Sequence, residues 1–185
     1  MNDLLEAARD VQRFCDGQGW RSCIIGGLAV LRWGEPRVTR DVDITLLTGF
    51  GAEESFAAKL LEKYPARIAD AKTFAQKNRV LLLHTLEGVG IDISLGALPF
   101  EERVVRNSTD YLYSPGLSIR TCSAEDLVVM KLFASRPLDI VDARGVVLRH
   151  GGRLNWGYID EQLIPLVEVK GDPEILVTLA GLKRL

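Results

Sequence analysis

The chain has 185 residues, of which 47% are hydrophobic, which suits one folded domain with a substantial core and excludes a disordered chain. With 23 basic and 25 acidic residues the formal net charge is −2, so nothing in the overall charge draws the chain to nucleic acid or to an anionic membrane. The three cysteines, Cys15, Cys23 and Cys122, form neither a disulfide framework nor a zinc-ligand spacing. No stretch approaches the roughly 20 apolar residues a membrane span needs, and the expectation is a cytoplasmic protein with no membrane role.

In chain order, residues 3–16 repeat Leu4, Leu5, Ala8, Val11 and Phe14 at helical spacing, with Asp3 as a cap and Gly17 and Gly19 as the stop. A short apolar strand over 21–25 runs into Gly26–Gly27, and a helix begins by Leu28 and continues to Trp33 before Pro36 breaks it. Asp41, Val42, Asp43 and Ile44 alternate as a strand with one polar face at its start. A helix over 53–63 follows, then strands over 79–84 and 91–95 that form an antiparallel hairpin, and a short extended pair about the Pro115–Gly116 turn. After Ser123 the pattern becomes helical. Ser123 with Asp126 resembles a capping box, and helices are expected over 124–134, 138–148, 158–168 and 173–183. The expected fold class is α/β (α+β), a small mixed sheet flanked by helices. The expected division is 1–120 as the α/β core and 121–185 as a helical C-terminal part packed on it.

Asp41 and Asp43 are two apart on a strand and therefore share a face. Side-by-side ionised carboxylates repel, and partial burial makes the cost greater. A divalent cation with a preference for hard oxygen ligands removes both penalties, and Asp92 offers a third carboxylate from another strand. Taken alone, the Asp-x-Asp pair reads equally well as a solvated strand end. Gly26 and Gly27, between a strand and a helix, let backbone N–H groups approach an anion where the helix dipole favours one. A tight turn chosen for backbone freedom explains the same two glycines.

The segment IIGGLAVLRWGEPRVTRDVDITLL resembles the core signature of the nucleotidyltransferase superfamily related to DNA polymerase beta. Its glycine pair followed by R-x-T-x-D-x-D resembles the AbiEii/AbiGii-type toxins and related minimal transferases. The resemblance, over roughly residues 21–145, implies Asp41, Asp43 and Asp92 as catalytic metal ligands, with Asp92 in GIDIS. Gly26, Gly27, Arg37 and Thr39 are implied at the nucleotide. The run SAEDLVVMKLFASRPLDIVDA resembles the family's helix pair, which implies Lys131 as a phosphate contact, with Asp139 and Asp142 orienting it or Arg136, or satisfying a helix start. The implied cofactor is Mg2+, with Mn2+ as an alternative, and the implied substrate a nucleoside triphosphate. The acceptor stays open among a small molecule, a protein and an RNA end, as does a protein partner. A catalytically silent nucleotide-binding or toxin–antitoxin-like partner is the alternative. Lys131 is expected at the edge of an amphipathic helix, so that Lys131→Ala weakens nucleotide binding or transfer with little change in melting temperature.

Overall fold

The computed structural model describes residues 2–185 and divides into two compact units, Met1–Leu28 with Val38–Cys122, and Ala29–Arg37 with Ser123–Leu185. The first unit is built on a mixed sheet of β1 (Ser22–Ile24), β2 (Asp41–Leu47), β3 (Val80–His84), β4 (Gly90–Gly96), β5 (Thr109–Ser114) and β6 (Leu117–Thr121). The strand order is β3-β4-β2-β1-β6-β5. β2 pairs parallel with β4 and antiparallel with β1, and β3 and β4 form the antiparallel hairpin that their alternation predicts.

The register of β2 on β4 explains both the core and the polar edge. Val42 lies beside Ile91, Ile44 beside Ile93 and Leu46 beside Leu95, and all six are buried. Because successive side chains alternate faces, the residues between them point the other way, and Asp43 falls directly beside Asp92. Helices α1 (Asn2–Gly17) and α5 (Pro99–Asn107) pack on the sheet, while α3 (Glu53–Leu61) and α4 (Ala71–Asn78) pack on one another and α4 lies on β3. α4 and α5 are additions to the elements read from sequence. α5 begins with Pro99 at its first turn, and Glu101 reaches back to accept hydrogen bonds from the backbone of Ala97 and Leu98, both at 2.8 Å.

The second unit takes the latter part of α2 (Gly26–Trp33) and gathers α6 (Ala124–Ala134), α7 (Pro137–His150), α8 (Trp156–Lys170) and α9 (Glu174–Leu182). α6 is its centre, in contact with α7, α8 and α9. The expected Ser123 cap is present: its hydroxyl accepts from the Asp126 backbone N–H at 3.1 Å and donates to the Asp126 carboxylate at 2.6 Å. Tyr158 donates to the other oxygen of Asp126 at 2.6 Å, so this fully buried acid is satisfied from two helices. α6 is not the amphipathic surface helix expected from sequence. Asp126 and Lys131 are buried together with Leu127, Val128, Val129 and Leu132, because polar partners elsewhere in the unit satisfy the two charged side chains.

Candidate active site

In the first unit, β1 ends at Ile24 and the chain turns through Gly26, whose φ is +58°, into α2. A side chain is excluded here twice over. The conformation is left-handed, and a Cβ would lie 2.0 Å from Asp43 Oδ2. At Gly27 only the close approach applies, since a Cβ there would lie 2.2 Å from Thr39 Oγ1. The Gly27 N–H is directed at Asp43 Oδ2 at 3.3 Å. The glycine pair thus lets a carboxylate and a hydroxyl lie flat against the backbone at the helix start, where partial positive charge favours an anion. Gly90, on the neighbouring strand, does the same for Asp41, whose Oδ1 stands 2.2 Å from where a Cβ would be.

Asp41, Asp43 and Asp92 therefore share one face of two adjacent parallel strands, with Asp43 and Asp92 in register. Their side chains are nevertheless turned to different partners: Asp43 to Gly27, Asp41 over Gly90, and Asp92 to Arg67, whose guanidinium donates to its Oδ1. Among the described residues no three His, Cys, Asp or Glu side chains are gathered into a closed metal-ligand group. Burial pushes the Asp92 carboxyl up from its ordinary value, the Asp41 charge adds to the rise, and Arg67 pulls against both.

Arg67 has no motif to mark it in the sequence. It follows α3 in a segment stitched to the hairpin edge by an Ala66–Leu83 bridge and by its own N–H on the Leu82 carbonyl at 3.0 Å. Leu82 is the register partner of Asp92. The same guanidinium lies 4.0 Å from Asp41 Oδ1. Only the sheet pairing, not any local pattern, brings it to the acidic edge.

In the second unit, Arg37 makes a bidentate pair with Asp142, Nε to Oδ1 at 2.8 Å and the second nitrogen to Oδ2 at 2.9 Å. Lys131 donates to Asp139 Oδ1 at 2.8 Å and lies 2.9 Å from Asp142 Oδ2. Arg136 completes the group through Asp139. Burial works to raise Asp139 and Asp142, but hydrogen bonds from Arg136 and Lys131 to the first and from Arg37 and Lys131 to the second outweigh it and hold both carboxyls below the usual range. Lys131 is buried, at 7% exposure, and the expectation of a lysine at the edge of an apolar stripe is corrected here. Asp139 and Asp142 orient it, and also reach Arg136 and Arg37.

Two solved structures share this fold. An antigenic nucleotidyltransferase-like protein from Paracoccidioides brasiliensis aligns with a TM-score of 0.55 at 14% identity, covering 97% of this chain and 93% of its own. The antibiotic-resistance factor ANT(2'')-Ia aligns with a TM-score of 0.50 at 14% identity, covering 93% and 92%. No curated protein matches the sequence. The chain belongs to the family described as the nucleotidyl transferase AbiEii toxin of type IV toxin–antitoxin systems, whose model matches residues 24–145. It is accordingly a nucleotidyltransferase, an enzyme that moves a nucleoside monophosphate and takes a nucleoside triphosphate as substrate. Among the described residues no helix is long and apolar enough to cross a membrane.

Proposed function

We propose that the chain transfers a nucleoside monophosphate to an acceptor hydroxyl with the help of a divalent cation, Mg2+ by expectation and Mn2+ as the alternative, held by Asp41, Asp43 and Asp92. The observation that carries this reading is the β2–β4 register, which sets Asp43 beside Asp92 on the face that also bears Asp41. The donor set fits such an ion: three hard carboxylate oxygens are offered from adjacent strands. The edge already takes a positive group, because Arg67 pairs with Asp92 and approaches Asp41. When bound, the ion supplies charge stabilisation to the triphosphate and to the entering and leaving oxygens.

The chain's own residues divide the remaining work. Asp92, whose carboxyl is pushed upward by burial, takes the proton of the attacking hydroxyl. Gly26 and Gly27 keep the start of α2 open to a second anion beside Asp43. Thr39, lying against Gly27, presents a hydroxyl next to the same turn. Arg37 and Lys131 serve nucleotide binding as the family resemblance implies. Two of the three ammonium N–H donors of Lys131 go to Asp139 and Asp142, which leaves one for a phosphate oxygen. The acceptor is a small molecule, a protein or an RNA end. Membership in a toxin–antitoxin family also supports a functional protein partner.

The test is pyrophosphate release with each of the four nucleoside triphosphates, with Mg2+, with Mn2+ and with chelator, on the wild type and on Asp43→Asn. Release that needs the metal and is lost in the variant supports the assignment. Release that survives chelation or the substitution overturns the ligand set, and nucleotide binding without any release returns the chain to the silent-partner alternative.

A further inference from the structure

The Arg67 contact has a meaning beyond holding a loop. A guanidinium does not lose its proton in a protein, so its charge leaves a site only if the side chain moves. The backbone of Arg67 is fixed by the Ala66–Leu83 bridge and the Leu82 carbonyl. Its side chain has several rotatable bonds and is 30% exposed. Its guanidinium touches Asp92, lies 4.0 Å from Asp41, and sits 3.1 Å from where a Cβ on Gly90 would be. The missing side chain at Gly90 therefore leaves room for both the Asp41 carboxylate and the guanidinium. One positive charge bridges two acids proposed to hold a cation, and it occupies one of the two carboxylate oxygens of Asp92.

We propose that Arg67 is the built-in counter-ion of the acidic edge, and that a divalent cation enters by displacing its guanidinium from Asp92 and Asp41. The proposal rests on the metal-site reading given above. Arg67 is on this view a positioning residue. It keeps the carboxylates from repelling one another in the metal-free chain, and it sets a threshold of cation concentration below which the site stays closed. The contact is partly solvated and so contributes modestly, on the scale of one charge-assisted hydrogen bond. That scale is enough to shift an affinity by about tenfold.

The experiment titrates the metal-free protein with Mn2+ and reads the free ion by electron paramagnetic resonance. Arg67→Gln is expected to bind Mn2+ about tenfold more tightly than the wild type, with Arg67→Lys between them. In chelator the Gln variant melts below the wild type, and at saturating Mn2+ the two melt together. A measurement on the wild type alone guards against a misfolded variant: the guanidinium N–H signal of Arg67 in an isotope-labelled sample moves on addition of Mg2+ and saturates with metal binding. Equal or weaker Mn2+ binding by Arg67→Gln, or an unmoved Arg67 signal, overturns the proposal. If Asp43→Asn still lowers Mn2+ affinity in that case, the metal site stands and only the displacement falls. If neither the wild type nor Arg67→Gln binds Mn2+, both readings fall together.

Discussion

Two pairs of carboxylates, one in each unit, are solved in opposite ways. In the second unit Asp139 and Asp142 share Lys131, and each also has an arginine of its own, Arg136 and Arg37. Both acids are almost wholly buried, and both carboxyls are held low by hydrogen bonds that outweigh their burial. In the first unit Asp41 and Asp92 share Arg67, at one end only at 4.0 Å, and Asp92 is pushed up. Two acids with three cations form a network in which each carboxylate has two cationic partners. Two acids with one cation, next to a third acid in register, are poised to accept another charge. The more deeply buried pair is thus the one with more cationic partners.

The sharpest way to break this contrast is at the acidic edge. Asp43→Asn keeps the shape and the backbone contact but removes a charge, and turnover is expected to fall by at least about 100-fold with melting almost unchanged. Paired activity and melting measurements check it, and a large melting loss would make Asp43 a structural acid like those of the second unit. Next in size is Lys131→Ala. Removing the shared cation leaves two buried carboxylates short of charge, at a cost of about 3–5 kcal/mol by chemical denaturation. This reverses the sequence-based expectation of a small melting change, and a loss below about 1 kcal/mol would return Lys131 to the solvated class.

The smallest effect is in the pH dependence of stability without metal. Asp139 and Asp142 have folded-state carboxyls below the ordinary value of 3.8, so the stability they contribute is present above that value and is lost as pH falls through their lowered values. Asp92 lies above 3.8, so its contribution has the opposite sign, present below that value and lost as pH rises through its raised one. Asp92→Asn is therefore expected to melt at or slightly above the wild type at neutral pH in chelator, while Asp142→Asn melts below it. Melting curves across the acid range, with the two variants behaving alike, would erase the distinction.

Much of this was legible before any coordinates. The alternation around Asp41–Asp43 and Asp92 announced two strands with a shared polar face, and Ser123 with Asp126 announced the start of α6. α5 carries a readable start signal in Pro99 and Glu101, whereas α4, with its weakly apolar stretch from Ala71 to Asn78, offers little. The burial of Lys131 is not legible in the spacing, which reports where apolar residues lie and not whether a charged neighbour has partners on the next helix. Arg67 was invisible for a related reason: its place is set by the pairing of Ala66 with Leu83 and of Leu82 with Asp92, which no local window contains.

The Arg37–Asp142 pair, 105 residues apart in sequence, has a consequence for the order in which the protein is made. Every residue of the first unit is synthesised before Ser123, so its sheet can close while Ala29–Arg37 still lacks the helices it belongs with. At roughly 5–20 residues per second, Arg37 precedes the carboxylate that will hold it by about 5–20 seconds of synthesis. The acidic edge and its Arg67 are thus all made ahead of the helices that follow Ser123.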